Sequence, residues 1–95
     1  GERVSDVFRA IDLLSTRKEV DMNRLAIMGI SAGGTTALYS AALDERIKCA
    51  VVVSAVSTYR DSIFRQVQCM CNYVPGLPGV CDPAQVAALV APRAL

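Results

Sequence analysis

The chain of 95 residues is long enough for one small domain, and its 53% hydrophobic content with a net charge of +1 places it among globular proteins rather than disordered or collagen-like ones. Ten basic residues are scattered from Arg3 to Arg93 without the dense patch that phosphate neutralisation needs, so nucleic acid is not an expected partner. No apolar stretch approaches the roughly 18 residues of a membrane span.

Val4, Val7, Phe8, Ile11 and Leu14 recur at steps of three and four, which predicts a helix over about 4–16 with one apolar stripe. The charged stretch from Arg17 to Asn23 breaks that pattern. Leu25-Ala26-Ile27-Met28, closed by Gly29, then reads as a short strand. Its continuous apolar run fits a strand of a parallel sheet buried on both faces.

Past the glycines, small residues and good helix formers predict a helix over 32–43, followed by a polar turn at Asp44-Glu45-Arg46. A second buried strand is expected within Ile47 to Val56, around Val51-Val52-Val53. Strand, helix, strand in that order makes a right-handed crossover between parallel neighbours. Farther on, a helix near 59–70 and a loop over 72–79 punctuated by Pro and Gly are expected. Asp82-Pro83 reads as an N-cap with proline in the first helical position, opening a helix through about Val90 that Pro92 ends. The fold class is therefore α/β, with parallel strands flanked by helices.

The chemistry concentrates at Gly29-Ile30-Ser31-Ala32-Gly33, a GxSxG pattern lying between a buried strand and a helix. A serine on so sharp a turn has its hydroxyl lifted above the sheet at a helix N-terminus, where free N–H groups favour developing negative charge. Glycines two before and two after the serine are expected because side chains there would collide with strand or helix. Ser31 is thus the candidate nucleophile, and the Ala32 N–H is a candidate oxyanion donor. A dinucleotide-binding GxGxxG would need glycine at Ser31. A phosphate-binding P-loop would need Lys where Gly34 stands, so neither rival fits.

Other polar residues carry less. Asp61, beside Arg60 and Arg65, is a weaker candidate acid and reads first as a solvated charge. Asp44 and Glu45 sit at the far end of the helix from Ser31. Ser54 and Ser57 fall at the sheet end where sites form and read as loop lining. Cys49, Cys69, Cys71 and Cys81 admit a metal site, a disulfide or simple packing. With no histidine and only a CxC, they fall short of structural zinc spacing, and Cys49 lies in an apolar run that suggests core. No metal or cofactor is expected.

Asp21 through Gly34 resembles the segment leading into the elbow of α/β-hydrolases of the dienelactone hydrolase and acetylxylan esterase type. Cys71-Asn72-Tyr73-Val74-Pro75-Gly76 and Ala88 to Leu95 resemble the stretch that precedes the next central strand in such esterases. The resemblance implies a partial α/β-hydrolase fold (strand, nucleophile elbow, helix, strand) and a serine esterase acting through an acyl-enzyme on a small-molecule ester. It also implies a triad in the order Ser, acid, His, with a second oxyanion donor upstream of the elbow. No histidine is present, so the chain reads as a single partial domain over 1–95, truncated at both ends and inert alone. Its partner would be the remainder of the hydrolase domain, with acid and base beyond Leu95. A prolyl-oligopeptidase-like peptidase shares the same elbow, and a non-catalytic binding scaffold is the reading from a different class. No export signal is visible, which favours the cytoplasm, although a missing N-terminus could have carried one.

Overall fold

The computed structural model describes residues 1–65, 69 and 72–95. Helix α1 spans Glu2–Ser15, and a 3-10 turn over Met22–Arg24 leads into strand β1, Ala26–Ile30. Helix α2, Ala32–Leu43, carries the chain to strand β2, Cys49–Val53, and helix α3 covers Pro83–Ala88. The two strands pair in parallel with Ala26 opposite Cys49 and Ile30 opposite Val53. Beyond β2, Ala94 makes a parallel bridge to Cys49, with the Ala50 N–H donating to the Ala94 carbonyl at 2.9 Å. A further chain segment therefore lies alongside β2 where the next strand was expected.

Helix α2 organises the core because its small residues let it lie close to the sheet. Ala37, Leu38 and Ala41 are buried, as is Ser40, and Leu38 alone removes enough apolar surface to contribute roughly 1.5–3 kcal/mol. Ile11 of α1, Ala41 of α2, Ala50 of β2, Ile47 and Val90 form one cluster, with Val7, Ile27 and Val52 packed against it. The predicted stripe of α1 is thus the face that packs, down to Ile11, while Leu14 at its end is 37% exposed.

Three expectations are corrected. The strands are covered on one face only: Ile27, Ala50 and Val52 point toward the core cluster, whereas Met28, Ile30, Val51 and Val53 on the opposite face are exposed. Side chains alternate across a strand, and the helical residues of the core cluster all lie on one side of this sheet. β1 also runs through Gly29 to Ile30 instead of closing at Gly29.

The helix expected near 59–70 is absent from its described part, where residues 59–65 form turns. Thr58 and Asp61 satisfy each other through the Thr58 hydroxyl, which donates to the Asp61 carboxylate at 2.9 Å and accepts from the Asp61 N–H at 3.1 Å. The Tyr59 N–H donates to the Asp82 carboxylate at 2.8 Å. Such local and long-range bonds compete with the helical ladder. Residues 66–68, 70 and 71, with Cys71 among them, lie outside the described residues.

Candidate active site

One residue separates β1 from α2, and it is Ser31. Turning from strand to helix within a single residue drives its backbone to φ 54°, ψ −121°, a region that a residue with a side chain seldom occupies and that costs of order 1–3 kcal/mol. The turn is pinned on both sides: the Ser31 N–H donates to the Val53 carbonyl at 2.9 Å, and the Ser31 carbonyl accepts from the Thr35 N–H at 3.0 Å. Ser31 itself is exposed. The Ala32 N–H, first in the helix, belongs to the set of donors that no intrahelical carbonyl can satisfy.

The glycines confirm half of the steric argument. A Cβ on Gly29 would stand 2.1 Å from the Gly33 carbonyl oxygen, so no side chain fits there. Gly33 has open space around it, which corrects the expectation that it too is sterically required. The second tight position is Gly34, where a Cβ would meet the Val53 carbonyl oxygen and the Ala55 side chain at 2.8 Å each. Helix α2 thus starts close against both the end of β1 and the chain leaving β2.

That departing chain bends at Ser54, which also has positive φ, 55°. Because Ile30 and Val53 are register partners, Ser54 follows β2 at the level where Ser31 follows β1. Two backbone-strained serines therefore stand side by side at the C-terminal edge of the sheet. Both line a cleft of about 510 Å³, together with Ala32, Ser57, Tyr39 and Tyr59. Arg3 reaches it from the first turn of α1 and is the charged side chain in its described lining.

Asp61 is not part of this cleft. It is exposed, bonds Thr58 and pairs with Arg65 at 3.3 Å, as expected of a surface charge. Asp44 lies at the opposite end of α2, where its carboxylate accepts from the Arg46 guanidinium at 2.7 and 2.9 Å. Those hydrogen bonds, against the opposing effect of partial burial, hold Asp44 below the ordinary carboxylate value. Cys49 and Cys81 carry free, half-buried thiols, and Cys69 is exposed in the cleft wall. Among the described residues, no three or more of His, Cys, Asp and Glu converge as a metal site would require, and no helix is long and apolar enough to cross a membrane.

Sequence reasoning placed Ser31, Ala32, Ser54 and Ser57 together but missed the remaining walls. Tyr39 lies two helical turns past Ser31, inside the predicted helix, where nothing in the local pattern marks it as a site residue. Tyr59 sits in a segment expected to be helical. Their hydroxyl oxygens are 2.7 Å apart, a contact between residues 20 positions distant that no local pattern announces.

Residues 1–68 match the prolyl oligopeptidase family. The chain is 32% identical to "Putative hydrolase YtaP" of Bacillus subtilis (strain 168) over 98 aligned residues, covering 98% of this chain and 32% of that protein. It is 43% identical over 63 residues to "Uncharacterized protein YcjY" of Escherichia coli (strain K12), covering 66% of this chain and 20% of that protein. The chain thus spans about a third of the length of the first of these relatives and a fifth of the second. No solved structure matches it significantly. A parallel strand-turn-helix-strand unit with the family match over more than two thirds of its length leads to one conclusion: the chain belongs to the prolyl oligopeptidase family, a family of α/β-hydrolase-type serine hydrolases.

Proposed function

We propose that the protein is a serine hydrolase of carboxylic esters in which Ser31 attacks the substrate carbonyl. The observation that carries this reading is the conformation of Ser31: an exposed serine held at positive φ in a one-residue strand-to-helix turn, above a glycine that admits no side chain. Strain of this kind persists where the surroundings over-determine it, and it places the hydroxyl at the mouth of the cleft rather than in the core. The carbonyl oxygen, turning into an oxyanion on attack, would be received by the N–H of Ala32 at the positive end of α2. The serine proton passes to a general base as the Oγ–carbonyl bond forms. The alcohol then leaves with a proton, and water frees the acid from the acyl-enzyme. With no histidine among the 95 residues, that base comes from another part of the protein.

The preference for esters rests on the resemblance of residues 71–76 and 88–95 to dienelactone hydrolase and acetylxylan esterase sequences. The family match favours a second reading, cleavage of peptide bonds with the same serine. Ser31→Ala in the full-length protein is expected to lower ester turnover by at least about 10,000-fold, with the fold intact by circular dichroism. Retained turnover, or labelling of a different residue by a serine-directed phosphonate, would sink the reading. Hydrolysis of proline-containing peptides with negligible ester turnover would select the peptidase instead.

A further inference from the structure

The wall of the Ser31 cleft holds a pair of phenols that the proposed chemistry does not use. Tyr39 lies eight residues after Ser31 on α2, about 12 Å along the helix axis, and helical side chains lean back toward the N-terminus, here toward Ser31. Tyr59 is 5% exposed and held at both ends, by its N–H to the Asp82 carboxylate at 2.8 Å and by its hydroxyl 2.7 Å from that of Tyr39. Two phenols own two protons, and the contact between them uses one.

Either hydroxyl can be the donor of that contact. Tyr59 is the more deeply buried of the two, and a phenol proton left without an acceptor costs about 1–3 kcal/mol. With Tyr59 as the donor, Tyr39 accepts and keeps its own proton for a partner in the cleft. Burial foremost, and then this hydrogen bond, raise the Tyr59 phenol above its ordinary value, so it remains a donor at any working pH. Tyr39 lines both the Ser31 cleft and an adjoining cavity of about 540 Å³. Arg3 lines the same two spaces; among the described residues no carboxylate borders the Ser31 cleft, while Glu2 borders the adjoining cavity.

We propose that Tyr39 is a specificity-determining residue: its hydroxyl, oriented by Tyr59, donates to an oxygen on the part of the substrate remote from the scissile bond. With Arg3 in the same wall, it selects substrates that bear a carboxylate there. This rests on the reading of Ser31 as the attacking serine. A planar guanidinium and a phenol hydroxyl suit an anion's oxygens, whereas an alkyl end gains a hydrogen bond from neither.

The test compares two esters of equal chain length on the full-length protein, mono-p-nitrophenyl adipate and p-nitrophenyl hexanoate. Tyr39→Phe is expected to lower kcat/KM for the adipate ester about tenfold, mainly through KM, and to leave the hexanoate ester within about twofold. Tyr59→Phe keeps the Tyr39 hydroxyl but frees it to rotate, with an expected loss of about threefold on the adipate ester alone. Equal losses on both esters by a normally folded Tyr39→Phe, or no loss on either, would overturn the proposal. Should that variant fold poorly, Arg3→Gln on the exposed start of α1 decides, and an unchanged preference for the adipate ester again overturns it. A full-length protein that hydrolyses neither ester and takes no phosphonate at Ser31 would remove the hydrolase reading itself, and this inference with it.

Discussion

At the scale of single residues, the elbow depends on two glycines that differ from the pair its motif suggests. Gly29 faces the start of α2 and Gly34 faces the chain leaving β2, and each approaches backbone too closely for a methyl group. Gly33 meets nothing within 4 Å and lies inside α2, where alanine is the better helix former by up to about 1 kcal/mol. Gly29→Ala is therefore expected to destabilise by more than about 4 kcal/mol or to prevent folding. Gly33→Ala is expected to be neutral or stabilising. Urea unfolding of both variants checks this, and equal destabilisation would show that Gly33 is sterically required after all.

Among elements, polar side chains tie together what the hydrophobic core brings near. Arg46 donates to Asp44 and, at 2.6 Å, to Asp12 of α1, so one guanidinium joins the end of α2 to its neighbouring helix. Arg93 donates to the carbonyls of Asp44 at 3.0 Å and Ile47 at 2.8 Å, fastening the segment after α3 to the same turn. Because Asp44 is held below its ordinary value of 3.8, its contribution to stability is present above that pH and is lost as pH falls through the lower folded-state value. Asp44→Asn is thus expected to be less stable near neutrality and to lose less stability between about pH 5 and pH 2 than the parent. Chemical denaturation across that range checks the sign. A variant with the parent's acid sensitivity would show that other carboxylates carry it.

Over the whole molecule, the outer face of the sheet stands out. Met28 is 73% exposed and Ile30 63%, and Val51 and Val53 extend the same apolar surface. Contiguous apolar surface on a sheet with unpaired edge groups promotes association. The 95-residue chain on its own is expected to self-associate, and Met28→Lys with Val51→Lys is expected to shift it toward monomer. Sedimentation of the two forms checks this, and a parent chain that is monomeric at tens of micromolar would contradict it.

Local pattern determined most of the elements. The spacing of Val4, Val7, Phe8 and Ile11, the small residues of α2 and the Asp82-Pro83 start of α3 each act within a turn or two of chain, so their outcome can be read without knowing the fold. The elbow was legible for the same reason, since Gly29 and Ser31 are two residues apart. Tertiary structure alone decided the rest. Which face of β1 and β2 is covered depends on where the helices pack, because both faces of these strands are apolar. The segment at 59–65 lost its helix to Asp82, a partner 23 residues from Tyr59. Gly34 rather than Gly33 is constrained because Val53 and Ala55 return beside it, and Tyr39 meets Tyr59, 20 residues away, in the wall of the cleft. Each of these turns on a contact between residues far apart in sequence, whose meeting is set by the packing of the entire chain.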